Sequence, residues 1–286
     1  MKHIFVIGVG LIGGSIALDL KRLNPEVTIY GIDHNPAHLA EAISLKIIEK
    51  KAVFSDLKNA DLVVLSIPVD VSVNLIVKIL EVISDNTLVV DVGSTKLDIC
   101  KVVSEHPKRR NFLAMHPIAG TEFSGPKAAI HGLFKNKTNI ICEVEKTAFK
   151  LQEKALKLFE SIGMRIRYMN PESHDKHIAY VSHLSHISSF MLGKTVLQIE
   201  KNEEAIFDMA STGFASTVRL AKSNANTWAP IFLENKDNII RSLDEYIKNL
   251  NEFKSLIVNA DDNGLKVTMT ETNYIKSILN GIKEND

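Results

Sequence analysis

Three groups of residues in this 286-residue chain have types and spacings that can do chemistry. The first is Gly8-Val9-Gly10-Leu11-Ile12-Gly13, a G-x-G-x-x-G between an apolar run at residues 4–7 and a helical pattern at 15–23. Glycines in that order let the chain turn tightly, let backbone N–H groups approach a pyrophosphate and let a helix pack closely on a strand. A second apolar run, 27–32, ends at Asp33, with no arginine or lysine in the next several residues. A carboxylate there accepts hydrogen bonds from ribose hydroxyls and repels a 2′-phosphate, so the expected cofactor is NAD rather than NADP. Gly8, Gly10, Leu11, Ile12, Gly13 and Asp33 form the expected cofactor side. Ser66 and Pro68, at the end of the run 62–67, are expected to line its nicotinamide end. The plainer readings are a glycine-rich turn of an unrelated α/β protein and an ordinary Ser-Pro strand end.

The second group lies at two further strand ends. Val90-Asp91-Val92-Gly93-Ser94-Thr95-Lys96 puts a hydroxyl where a strand meets a helix, and Met115-His116-Pro117 puts a histidine at the end of the next strand. Ligands of open parallel sheets sit outside the carboxyl ends of the strands. Ser94 and His116 can therefore face one crevice. A neutral histidine there is a natural base for an alcohol proton, and a neighbouring hydroxyl can fix its tautomer. The plainer readings are a strand-capping histidine and a helix N-cap serine. In the third group His183 and His186 share one helix face, as do Arg219 and Lys222. No third ligand has a fitting spacing, so no metal is expected, and both histidines can equally belong to the core. The two cations suit a dianion clamp or a solvated basic surface. Cys100 and Cys142 fall in apolar stretches with neither metal nor redox spacing, which reads as reduced core thiols.

The elements that must position these groups follow from the apolar pattern. Runs at 4–7, 27–32, 62–67, 88–92, 112–115 and 139–142 alternate with helical stretches such as 72–83. That predicts an α/β Rossmann domain, a doubly wound parallel sheet, over residues 1–169. At Asn170-Pro171-Glu172 the pattern changes, and 170–286 reads as an all-α domain with helices over 173–200, 205–209, 217–221, 226–260 and 268–282. Ile239, Leu243, Tyr246, Leu250, Phe253 and Ile257 step by four and three, an a/d seam longer than a lone helical domain needs. A homodimer through the helical domain is the expectation, with coverage of the seam by 268–282 as the alternative. Thirty-four basic residues balance 34 acidic ones, so no net field favours nucleic acid or an anionic membrane. No apolar run is long enough to span a bilayer, and the N-terminus enters a strand at once, without a signal peptide. A cytoplasmic location is expected.

The stretch His116-Pro117-Ile118-Ala119-Gly120-Thr121-Glu122, followed by Ser124-Gly125, resembles the signature of the prephenate and arogenate dehydrogenases. The likeness covers nearly the whole chain. It takes in residues 8–14 and 91–96, Val181-Ser182-His183-Leu184-Ser185-His186, Arg219-Leu220-Ala221-Lys222-Ser223, Trp228 and residues 231–236. It implies NAD-dependent oxidative decarboxylation of prephenate to 4-hydroxyphenylpyruvate in tyrosine biosynthesis. It implies further that His116 is the base and Ser94 its hydrogen-bond partner, and that Glu122 belongs to a network gating the pocket. His183, His186 and Arg219 would line the substrate pocket from an all-α dimerisation domain. Relatives commonly carry Arg or Lys, then Asp, between the Gly-Phe pair and this arginine. Here Gly213-Phe214-Ala215-Ser216-Thr217-Val218-Arg219 has neither, which leaves prephenate against arogenate open. The alternatives are an arogenate dehydrogenase, a β-hydroxyacid-type dehydrogenase and a non-catalytic NAD-binding sensor. The β-hydroxyacid type uses a lysine in a Gly-x-x-Gly-x-x-x-Lys string absent here; the His116–Ser94 pair argues against the sensor.

Overall fold

The computed structural model describes residues 1–200 and 206–283. The apolar runs of the first half become β1 (His3–Ile7), β2 (Thr28–Ile32), β4 (Leu62–Leu65), β5 (Leu88–Asp91), β6 (Phe112–Pro117) and β7 (Thr138–Cys142). Two strands join them that carry no apolar run, β3 (Lys50–Lys51) and β8 (Arg165–Met169), each at one edge of the sheet. Edge strands face water on one side, so their sequences read as polar. The order is β3-β2-β1-β4-β5-β6-β7-β8, which reverses direction between β1 and β4 as in doubly wound folds. Pairing is parallel except between β6 and β7, where His116 lies opposite Ile140. The doubly wound parallel sheet expected from the sequence is thus present, with this one antiparallel pair in it. The chain between these strands forms only a short 3-10 turn, Pro126–Ala128, and no crossover helix, so it returns antiparallel.

Both faces of the sheet are buried. Alternate residues Ile4, Val6, Val64, Val90 and Met115 pack with Ile16 and Leu20 of α1 (Leu11–Leu23) and Phe159 of α5 (Phe149–Ser161). The other alternation, Phe5, Ile7, Val63, Leu65 and Val89, packs with Ile76, Ile79 and Leu80 of α3 (Val69–Val82) and with Ile99 and Cys100 of α4 (Leu97–Val102). A period of two with both halves apolar leaves the strands no solvent face. It also leaves function to the loops at their carboxyl ends. Helix α2 (Pro36–Ser44) follows β2. Both cysteines are buried and unpaired.

After Asn170 the described chain is helical, with boundaries that differ from those expected. The predicted helix 173–200 is α6 (Pro171–Ile178) and α7 (Leu184–Glu200), joined by a π turn at Ala179–His183. Of the expected 205–209 segment, residue 205 lies outside the described residues and Ile206–Met209 is a 3-10 turn. The segment 217–221 is instead the end of α8 (Thr212–Thr217) and a 3-10 turn at Arg219–Lys222. The predicted helix 226–260 breaks into α9 (Ala225–Glu234) and α10 (Lys236–Val258) at Asn235, whose side chain turns inward to hydrogen-bond. The last helix is likewise two, α11 (Asp262–Thr272) and α12 (Ile275–Lys283). By packing, the chain forms one compact unit up to Asn235 and a second from Lys236 onward. No helix among the described residues is long and apolar enough to cross a membrane.

Candidate active site

The glycine loop joins β1 to α1. Gly8 has φ +90°, and a Cβ there would lie 2.1 Å from the Ser66 carbonyl oxygen. A Cβ on Gly13 would lie 2.2 Å from the Gly8 oxygen. Both positions therefore exclude any side chain, and Ser66 packs directly on the loop. Gly10 is the N-cap of α1 and supplies no capping side chain, so the first-turn N–H groups, with Leu11 and Ile12 half-buried beside them, point to a ligand position. Asp33 Oδ2 accepts from the Val9 amide at 3.2 Å and Oδ1 from the Asn35 amide at 2.9 Å, which ties the end of β2 to the loop. Pro68 is exposed as the N-cap of α3, next to Ser66. A bare helix start, side-chain-free turns and a carboxylate at the second strand end fit a dinucleotide.

Around His116 the structure builds an array of hydrogen bonds. His116 Nδ1 lies 2.9 Å from His174 Nε2, and His174 Nδ1 lies 2.7 Å from Asp175 Oδ1. Asp175 Oδ1 also accepts the Lys96 amide at 2.8 Å, and its Oδ2 accepts the Leu97 amide at 2.9 Å. A carboxylate only accepts, so His174 carries its proton on Nδ1 and its Nε2 is an acceptor. His116 must then donate from Nδ1, which leaves the lone pair on Nε2 with no partner among the described residues. Burial first, and then His174 and Lys96, hold the His116 ring well below the usual histidine range, so it stays neutral. Among the described residues Ser94, given by resemblance as the partner of His116, makes no hydrogen bond to it, and His116 Nδ1 faces His174 instead. Ser94 is half-buried two residues before Lys96, which takes the N-cap of α4 without a side-chain bond.

The third group converges on the same region. His183 is fully buried at the end of the π turn. Asn235 Nδ2 donates to the Asp175 carbonyl at 2.7 Å and faces His183 Nδ1 at 3.2 Å. His183 Nδ1 is thus an acceptor, and its Nε2–H is buried with no partner among the described residues. Burial pushes this ring down to about 4, and burial also lowers His186. The His186 ring stacks on Trp228 with centroids 3.4 Å apart, while His183 meets the same indole edge-on at 5.9 Å. Arg219 pairs with Glu122 at 3.3 Å and is 52% exposed. A bond from its own backbone amide, then Arg219 and Lys222, hold the Glu122 carboxyl below the usual range. The loop carrying Glu122 is anchored on α1: Ser15 Oγ accepts the Ile130 amide at 3.0 Å and buried Asp19 accepts the Gly132 amide at 3.0 Å.

Reading the residues missed His174, Asp175, Lys96, Asn235 and Trp228 as members of this array. One signal was present. Pro171, His174, Asp175 and Ile178 fall at helical spacing on one buried face, so an apolar stripe is interrupted by a His-Asp pair. Among the described residues no group of three or more His, Cys, Asp or Glu is placed to hold a metal ion.

Comparison with known proteins agrees along the chain. Residues 16–168 match the model of the prephenate dehydrogenase nucleotide-binding domain, and 170–271 that of the prephenate dehydrogenase dimerization domain. A prephenate dehydrogenase of Bacillus subtilis strain 168 is 31% identical over 92% of this chain and 72% of its own. A cyclohexadienyl dehydrogenase of Zymomonas mobilis is 30% identical over 91% and 90%. The crystal structure of a prephenate dehydrogenase from A. aeolicus in complex with hydroxyphenyl propionate and NAD+ superposes with a TM-score of 0.85 at 31% identity, covering 98% of each chain. With both domain models matched in order and the glycine loop, His116 and Arg219 in one compact unit, the chain belongs to the prephenate dehydrogenase family.

Proposed function

We propose that the protein is a cytoplasmic NAD-dependent prephenate dehydrogenase that converts prephenate to 4-hydroxyphenylpyruvate and carbon dioxide on the way to tyrosine. The observation that carries this reading is the neutral His116 with its Nε2 lone pair unused at the carboxyl end of β6. The A. aeolicus relative, solved with NAD+ and a hydroxyphenyl acid, supports the same cofactor and ligand class.

In this reading Gly8, Gly10, Leu11, Ile12, Gly13 and Asp33 hold NAD, with Ser66 and Pro68 at its nicotinamide end. When bound, NAD supplies the acceptor for the hydride that leaves the hydroxyl-bearing ring carbon. His116 Nε2 takes the hydroxyl proton as that carbon becomes a carbonyl. The ring carboxylate then leaves as carbon dioxide, its bonding pair enters the ring, and the phenol oxygen recovers a proton from His116. Aromatisation makes the step effectively irreversible. Asp175 and His174 act as positioning residues by fixing the tautomer of His116, and Ser94 is left to meet the substrate hydroxyl. The unpartnered His183 Nε2–H is a costly buried donor until a ligand oxygen accepts it. Arg219 grips a substrate carboxylate with its planar fork, exchanging it for Glu122, while His186 on Trp228 forms a neutral wall. The helical domain forms a homodimer. Its support is the matched dimerization domain and the a/d seam, where Leu250 is 51% and Ile257 58% exposed in the single chain.

Five outcomes test these statements. Purified protein with NAD and prephenate should raise absorbance at the NADH band; no rise with prephenate or with arogenate would remove the assignment. His116→Asn should lower turnover by roughly two to four orders of magnitude with little change in NAD affinity by calorimetry. Because its charged form is disfavoured, the base should stay unprotonated below the ordinary value of 6.5, so the acid limb of kcat/KM in the wild type should lie under that pH. Arg219→Ala should raise KM for prephenate, with a loss in kcat/KM of about 2–4 kcal/mol and a smaller fall in kcat than His116→Asn gives. Light scattering at micromolar concentration should give twice the 31.8 kDa of one chain; a monomer would refute the dimer.

A further inference from the structure

Lys96 is fully buried, a rare place for an ammonium group. Its Nζ pairs with Asp91 Oδ2 and donates to the Met115 carbonyl at 2.9 Å, and Met115 is the residue before His116. Asp91 is itself held, its Oδ1 accepting the Gly93 amide at 2.9 Å. The backbone of Lys96 reaches the other way, its N–H donating to Asp175 Oδ1 at 2.8 Å. One residue therefore bonds Asp175 at one end of the chain Asp175–His174–His116 and, at the other, the residue that precedes His116. A well-packed apolar pair can replace a buried ion pair at little loss of stability, so the fold alone does not call for these charges. We propose that Lys96 is a positioning residue for the reaction, holding the strand end that carries His116 with its ammonium group and the carboxylate that orients His174 with its amide.

The charge has a second effect at the same place. The charged and titratable groups around His116 are Lys96 and Asp91 at the end of β5, His174 and Asp175 on α6, and His183 in the π turn. Of these Lys96 is the fixed cation, and it opposes a proton on the His116 ring, in the same direction as burial. Lys96 thus keeps the base in its working form as well as in its place. This proposal rests on His116 being the base, and the two can fail separately.

The test uses Lys96→Met and the double variant Asp91→Asn, Lys96→Met, which leaves no uncompensated carboxylate should the single variant not fold. Both are compared with wild type by the pH profile of kcat/KM and by NMR titration of the His116 ring in the enzyme without ligands. Loss of the cation should move the His116 titration and the acid limb to higher pH by about one unit. It should lower kcat by about 10- to 100-fold while NAD affinity by calorimetry holds. A folded Lys96→Met variant whose ring titration and acid limb stay at the wild-type position, or a folded double variant, in which the lost anion offsets the lost cation, whose kcat is unchanged, would overturn the proposal. Retained turnover in His116→Asn would instead remove the base assignment, whatever Lys96 does.

Discussion

The carboxylate of Asp175 is the constraint on which the rest of the site depends. Its two oxygens and its carbonyl collect hydrogen bonds from Lys96, Leu97, His174 and Asn235, residues from the sheet side, α6 and the end of α9. A buried carboxylate is tolerated only when its oxygens are filled with donors, and here donors from separated segments fill them. Once the carboxylate is fixed, the His174 tautomer follows, then the His116 tautomer, then the free lone pair. The placement of α6 beside the sheet and the tautomer of His116 are therefore one arrangement. The position at the start of α4 adds to this, because a helix N-terminus favours negative charge.

Neutrality is the theme of the surrounding rings. His116, His183 and His186 are all pushed toward the uncharged form by burial. These neutral rings add no charge beside Arg219, which in the proposed reading is the fork that meets a carboxylate. The π turn belongs to this design. An extra residue in one helical turn rotates the following side chains, and in this helix it ends at His183, bringing that ring inward against Asn235 and Trp228.

Much of this was visible in the sequence, for physical reasons. Continuous apolar runs bounded by Gly, Asp, Pro and His identify buried parallel strands, and the glycine loop and His116 stand at strand ends where ligands collect. β3 and β8 escaped because edge strands do not need an apolar repeat. The antiparallel β6–β7 pair depends on what the connection lacks, which strand composition does not encode. The break at Asn235 escaped because helical periodicity runs straight through it; the break arises from a tertiary bond to Asp175. The same cause hid His174, Asp175 and Lys96 from the site. Their roles come from each other, across residues 96 to 235, and beyond the His174-Asp175 interruption of a buried helical stripe no local pattern carries that. For Ser94 the resemblance suggested a partner that the structure assigns to His174.

The anchoring of the loop after β6 on α1 bears on how this chain can vary. Ser15 and Asp19 lie on the buried side of a helix where apolar residues ordinarily interchange, yet each must accept an amide from the loop that carries Glu122. Neither position touches the reacting groups, and neither is free to drift as a core position. Between these tethers and Glu122 the loop is exposed at Phe123 and Ser124, and Ser124 Oγ accepts from Asn224 Nδ2 at 3.3 Å. The helix beneath the loop is thereby held under a polar constraint that hydrophobic packing alone would not impose.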